Sequence, residues 1–155
     1  MMGKRMRAPA AAALITLLAA APAGATGSLD CEIADKTLTF NAATAFSYSI
    51  GGFNNFRGAI ELRAKDVPAD LAKFEFDNEA LLHHWFGGKE LKLEVYRERE
   101  GSPHGTLRLV VETRRVAGSD GAYRGTYVLT LFTVPEGGGD GRSRTFKGKV
   151  ECSAE

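Results

Sequence analysis

The stretch 90-ELKLEVYREREGSPHGTLRLVVE-112 decides the fold of this chain. Apolar and polar residues alternate on both sides of the Gly- and Pro-bearing segment 101–105. Period-two alternation is typical of strands with one buried face, and two such runs around a turn predict a β-hairpin. The apolar positions are Leu91, Leu93 and Val95 before the turn, and Leu107, Leu109 and Val111 after it.

The same alternation continues towards the C-terminus. After the turn at 117–121, the segment 123–134 predicts a long third strand that Pro135 ends. The Gly-rich segment 136–144 predicts a loop, and 145–152 predicts a last strand.

The N-terminal half has shorter alternating runs, and these predict further strands. The residues in phase are Leu38 with Phe40, Phe46 with Tyr48 and Ile50, Ile60 with Leu62, and Phe74 with Phe76.

The segment from Ala80 to Phe86 does not alternate. Asp77 or Asn78 is a suitable N-cap, and the pair Gly87-Gly88 is a suitable helix end. The pattern therefore predicts one short helix, and a segment this short needs to dock on the sheet to be stable.

These patterns together predict an all-β domain with seven to nine antiparallel strands, paired in sequence order. We expect a small antiparallel meander β-barrel or a tight β-sandwich with one short helix.

The first 25 residues have the features of a cleavable secretory signal. Lys4, Arg5 and Arg7 precede the apolar run 10–21, and Ala23-Gly24-Ala25 is an A-x-A cleavage site. The apolar run is shorter than the roughly 20 residues of a membrane-spanning helix. We therefore expect residues 1–25 to be a signal peptide and the protein to be exported, with the periplasm as the destination and no membrane segment after cleavage.

Residues 26–155 remain after such a cleavage, which is a single-domain length. Because three of the 20 basic residues lie in the signal, 17 remain against 19 acidic residues, a net charge of −2. This balance, without a basic cluster, argues against a nucleic-acid partner.

The two cysteines, Cys31 and Cys152, lie near the two ends of the exported domain. In an oxidising compartment we expect them to form a disulfide rather than remain as two free thiols. The bridge would require the first and last strands to be neighbours or to lie face to face.

The sequence offers no set of residues with a recognisable catalytic spacing. His83 and His84 would point apart on a helix, and His104 lies in a turn, so we expect no metal site. There is no nucleophile elbow and no phosphate-binding Gly-rich loop. We therefore expect a binding protein that is not an enzyme and carries no cofactor.

Four aromatic residues are candidate ligand-binding residues. Phe53 and Phe56 lie in a glycine-bounded turn, and Trp85 and Phe86 lie on the predicted helix. They would either line the mouth of an apolar pocket or fill the ends of the core.

The glycine-bounded segment Gly51-x-Phe53-x-x-Phe56-x-Gly58-x-Ile60 resembles the G-x-F-x-x-F-x-G-x-I stretch of the YceI-like periplasmic family. The resemblance covers about ten residues. It implies a lipocalin-like antiparallel barrel that binds polyisoprenoid or another apolar chain.

Two other functions are compatible with the sequence. Ser119-Asp120-Gly121-Ala122-Tyr123 is similar to the Ser-Gly-bearing inhibitory loop of periplasmic lysozyme inhibitors, which predicts a protein partner in the envelope. A purely structural role in the envelope is the other alternative.

Overall fold

The computed structural model describes residues 26–47 and 52–155, so the predicted signal peptide, residues 1–25, lies outside the described residues, as do Tyr48 and Ile50. The described part contains nine strands, one four-residue helix and one 3₁₀ turn. In chain order they are β1 (Thr26–Ala34), β2 (Leu38–Ser47), β3 (Phe53–Leu62), α1 (Ala69–Ala72), β4 (Lys73–Phe76), the 3₁₀ turn (Asn78–Ala80), β5 (Leu81–Gly87), β6 (Glu90–Glu98), β7 (Gly105–Arg115), β8 (Ala122–Thr133) and β9 (Arg142–Ala154).

All nine strands belong to one antiparallel sheet in the order β4-β3-β2-β1-β9-β8-β7-β6-β5. The sheet curls into a half-barrel, which confirms the predicted all-β fold class. The predicted meander is present in two arms, β1 to β4 and β5 to β9, and the pairing of β1 with β9 joins the arms.

The predicted hairpin is confirmed in strands β6 and β7. Leu93 lies opposite Val111 and Val95 opposite Leu109, and all four side chains are buried. Because every second residue points inwards, the alternation seen in the sequence becomes the inner face of the sheet.

The predicted disulfide is also confirmed. Cys31 of β1 lies directly opposite Cys152 of β9, with their Cα atoms 4.0 Å apart. Only four residue pairs connect these two strands, as few as connect β3 with β4, so the bridge reinforces one of the two shortest strand pairings of the sheet.

The helix predicted from Ala80 to Phe86 is wrong, because this segment is strand β5, paired with β6. Two apolar pairs four residues apart, Leu81 with Trp85 and Leu82 with Phe86, are compatible with a helix. A strand here instead continues the hydrogen bonding of β6. Gly88, at a φ of 60°, turns the chain between β5 and β6 instead of ending a helix. The capping prediction holds locally, because the Asp77 carboxylate accepts a hydrogen bond from the Glu79 N–H in the 3₁₀ turn.

The one α-helix of the described residues, α1, follows Pro68 and closes one end of the half-barrel. Its Leu71 is fully buried and contacts the backbone position of Gly105, at the start of β7. Small size at Gly105 makes this contact possible, because a Cβ there would lie 3.2 Å from a Leu71 methyl group. No helix in the described part of the chain is long and apolar enough to cross a membrane.

Candidate functional site

The two edges of the sheet meet along a seam that the chain itself crosses. β4 pairs with β3, whereas β5, which follows it after the 3₁₀ turn, pairs with β6. At the crossing, the side-chain oxygen of Asn78 accepts a hydrogen bond of 2.9 Å from the Phe56 N–H of β3. Because the chain pairs with β3 before the crossing and with β6 after it, the seam has two gaps, one on each side of the crossing.

The first gap, between β4 and β6, is filled by side chains. The Arg97 guanidinium lies 4.7 Å from the centre of the Phe74 ring, and the Arg99 side chain donates to the Asp70 carboxylate at 2.9 Å. Arg97 Nε is the one buried side-chain polar atom in the described residues without a hydrogen-bond partner. The neighbouring groove of about 450 Å³ is lined by three carboxylates, those of Glu75, Asp77 and Glu79.

The second gap, between β3 and β5, is open and forms a cleft of about 410 Å³. We call it the aromatic cleft. It lies at the end of the half-barrel opposite α1, where β2, β5 and β7 end and β3 and β8 begin. Its lining residues are Phe46, Ser47, Gly52, Phe53, His84, Trp85, Phe86, Gly87, Gly88, Arg115 and Tyr123.

Stacked rings connect the two sides of the cleft. Phe53 of β3 stacks on His84 of β5 with ring centres 4.4 Å apart. Phe86 meets Phe46 of β2 edge to face at 4.7 Å and Tyr123 of β8 at 5.9 Å. These distances are in the favourable range for aromatic pairs, so rings take the place of backbone hydrogen bonds across this part of the seam.

Trp85 lies at the exposed rim of the cleft. It is opposite Lys92 and points to the outer face of β5, away from the face that carries His84 and Phe86. Its side chain is 60% exposed, and its ring lies in ordinary contact with Gly87, because a Cβ on Gly87 would be 3.7 Å from it. Burying large aromatic surface is favourable, so this ring offers contact area that the folded chain leaves unused.

The structure brings together three of the four aromatic residues predicted as ligand-binding. Phe53, Trp85 and Phe86 line the cleft. Phe56 does not, because it is 1% exposed and stacks on Phe76 in the core, with ring centres 5.5 Å apart. Both rings point to the inner face of β3, because a register shift at Asn55 adds one residue between them. Phe53 lies at the start of the strand beside the cleft, whereas Phe56 lies further along it, in the core.

Five lining side chains were not predicted as ligand-binding from the sequence: Phe46, Ser47, His84, Arg115 and Tyr123. They come from strands far apart in the chain, so no local motif marks them. The 123–134 alternation places Tyr123 on the inner face of β8, but only the sheet order shows that this face reaches the seam.

A second polar contact stabilises the opposite end of the half-barrel. The Tyr127 hydroxyl donates to the Asp35 carboxylate at 2.6 Å, and a Cβ on Gly148 would collide with both groups. Burial alone would raise the pKa of Asp35, but the Tyr127 hydroxyl and the N–H groups of Leu38 and Thr37 outweigh it and hold the pKa below its usual value. Burial and then Asp35 raise the pKa of Tyr127 strongly. The pair is a structural contact remote from the cleft.

A larger groove of about 810 Å³ runs across β4, β3, β2, β1, β9 and β8. Its polar lining includes four carboxylates and two guanidinium groups, and Arg124 is paired with Glu151 at 3.0 Å. Ala42, Ala43, Gly58 and Ala59 supply small side chains. We place the candidate site at the aromatic cleft, because aromatic rings from both sides of the seam, Phe53 of β3 and Phe86 of β5, line it.

The three histidines lie in separate environments. His84 stacks on Phe53, His83 lies opposite Glu94 on the other face of β5, and His104 is 3.3 Å from the Glu98 carboxylate. Within residues 26–47 and 52–155, no group of three or more His, Cys, Asp or Glu side chains could hold a metal ion.

The segment similar to lysozyme-inhibitor loops forms the tight turn between β7 and β8. The Ser119 hydroxyl donates to the Val116 carbonyl at 3.0 Å and accepts from the Ala122 N–H at 3.2 Å. The hydroxyl is therefore used to hold the turn together.

Comparisons of this chain with protein-family models, with curated proteins and with solved structures find no match.

Proposed function

We propose that this protein binds an apolar ligand in the aromatic cleft and does no chemistry on it. The observation that carries the proposal is the open gap between β3 and β5, whose walls are stacked aromatic rings with the largely exposed Trp85 at the rim. Small-molecule sites are concave, mostly apolar and at least about 300 Å³ in volume, and the aromatic cleft of about 410 Å³ meets each condition.

The ligand lies in the mouth of the half-barrel, not deep inside it. The interior is occupied by buried side chains such as Leu109, Leu129 and Phe40, each with no exposed surface. A chain or flat ring would therefore lie along Phe53 and Phe86.

We propose that binding takes place outside the cytoplasm, in the periplasm. The Cys31–Cys152 disulfide supports this location, because structural disulfides form and persist in oxidising compartments. The apolar ligand that the YceI-like resemblance implies is compatible with the same site.

The neutral aromatic probe N-phenyl-1-naphthylamine tests the proposal, because its fluorescence rises when it enters an apolar site. We expect saturable binding by the wild-type protein and about fivefold weaker binding by Trp85→Ala, the loss of one aromatic contact of about 1 kcal/mol. Trp85 is exposed, so this variant is expected to fold, and its thermal unfolding curve checks that it does.

Leu82→Ala is the matched control. Leu82 is 52% exposed on the same strand but does not line the cleft. We expect its probe affinity to equal that of the wild type. Absence of saturable binding by the wild type, or equal weakening by both variants, would overturn the proposed function.

A further inference from the structure

The charged groups around the aromatic cleft are unusual for this protein. None of its described lining residues is Asp or Glu, although the chain contains 19 acidic residues. The two other grooves described above each contain three or more carboxylates. The one permanent charge in the lining of the cleft is the guanidinium of Arg115.

We propose that the cleft selects an anionic amphiphile, an apolar body carrying a carboxylate or phosphate group that Arg115 binds. The proposal rests on the proposed function, because it assigns the apolar body to the same rings.

Arg115 is held at the rim by its own strand. It is the last residue of β7, and its backbone N–H donates to the Lys89 carbonyl at 2.8 Å. Its guanidinium lies 5.7 Å from the centre of the Tyr123 ring, and Tyr123 in turn meets Phe86. The cation therefore stands directly beside the aromatic surface on which the apolar body would lie.

The guanidinium of Arg115 has no carboxylate partner among the described residues. Its neighbours on the sheet do have one: Arg114 pairs with Glu90 at 3.1 Å and Arg124 with Glu151 at 3.0 Å. A guanidinium carries five N–H donors arranged to bind two oxygens of a carboxylate or phosphate at once. Arg115 thus keeps its donors available at the mouth of an apolar cleft.

A free inorganic anion does not fit this site. Arg115 is exposed, and a single exposed charge pair contributes little in water. The anion needs the apolar body to anchor it, and the apolar body gains selectivity from the charge. The geometry therefore favours an amphiphile over either part alone.

Displacement of N-phenyl-1-naphthylamine by three ten-carbon compounds tests the proposal, each used below its micelle concentration. They are decanoate, decyl phosphate and the neutral decanol. We expect at least one of the two anions to displace the probe at a concentration about fivefold to tenfold lower than decanol, and the comparison of the two distinguishes a fatty acid from a phosphate headgroup. Raising the salt concentration should reduce this advantage.

Arg115→Gln should abolish the advantage of the anions over decanol. Arg114→Gln is the matched control, because Arg114 is the adjacent residue, carries the same charge and does not line the cleft. It should retain the full advantage.

The results separate the two proposals. Binding of decanol with no advantage for either anion, or an advantage that survives in Arg115→Gln, overturns the anionic ligand and leaves the apolar site standing. Displacement by acetate or inorganic phosphate alone overturns the amphiphile, since a simple anion site would then suffice. Failure of decanol and of the probe to bind overturns both.

Discussion

The disulfide between the first and last strands allows a quantitative prediction about stability. Replacing both cysteines, as Cys31→Ser/Cys152→Ser, removes a cross-link between residues 121 positions apart. Both side chains are buried, at 4% and 6% exposure, and the two strands remain adjacent through their backbone hydrogen bonds. The folded structure should therefore survive, and the main effect should fall on the unfolded chain.

The size of the effect follows from chain entropy. Closing a loop of about 120 residues restricts the unfolded ensemble by about 5 kcal/mol at 25 °C, which is an upper value for real proteins. The backbone pairing of β1 with β9 does not reduce this figure, because those hydrogen bonds are absent from the unfolded chain. With a denaturant slope of about 2 kcal/mol per M, the variant should unfold at a urea concentration about 2.5 M lower than the wild type.

Urea unfolding followed by far-ultraviolet circular dichroism measures this difference, in oxidising buffer and again with dithiothreitol. The difference in urea midpoint between wild type and variant should be large in oxidising buffer. It should nearly disappear with dithiothreitol, because reduction removes the cross-link from the wild type as well. Equal midpoints in oxidising buffer would refute the loop-entropy reasoning. A gap that persists undiminished with reductant would assign the effect to the buried side chains.

Two further contacts give predictions of their own. Tyr127→Phe should cost about 1 kcal/mol at neutral pH. Because the folded pKa of Asp35 is lowered, its stabilisation is present above its ordinary pKa of 3.8 and is lost as the pH falls below that value. The Tyr127→Phe variant should lose less stability than the wild type on acidification. The difference between their unfolding free energies should therefore be smaller at pH 2.5 than at pH 7, and an equal difference at the two pH values would contradict this account. Gly125→Ala should cost roughly 1–3 kcal/mol, because a Cβ would overlap the Glu112 carbonyl oxygen. Gly87→Ala, whose Cβ meets only ordinary contacts, should be nearly neutral in the same thermal unfolding assay.

The strands could be predicted from the sequence because their cause is local. In β6 and β7 one face is buried and the other faces solvent, so apolar and polar residues alternate and the alternation predicts the strands. The disulfide could be predicted because only two cysteines are present and they lie at the two ends of the exported domain.

The segment from Leu81 to Gly87 could not be assigned correctly, because its cause is not local. Its burial pattern shows no clean alternation, and most of its side chains are exposed or half-buried. The register against β6 is also shifted between Leu81 and His83, which disturbs the period-two pattern. Tertiary pairing with β6 outweighs the weak helical pattern of such a short segment.

The candidate site was accessible from the sequence only as a list of aromatic residues. Choosing between pocket and core required knowing where each ring lies along the inner face of its strand. Phe53 and Phe56 lie on the same strand, yet one lines the cleft and the other is packed in the core. The alternation of β7 places Arg115 on the inner face and Arg114 on the outer face, but only the structure shows that Arg115 lines a cleft.

The position of the cleft follows from how the half-barrel fails to close. The chain leaves β3 at the end of β4 and joins β6 at β5, so no single strand bridges the seam along its whole length. On one side of the crossing, α1, Arg97 and Phe74 fill the space. On the other side, no segment of the described chain fills the space between β3 and β5. The strand ends there present aromatic rings and the guanidinium of Arg115 to the open cleft. A ligand that combines an apolar body with an acid group would contact the rings with the first and bind the guanidinium with the second. For that reason we assign function to this end of the seam.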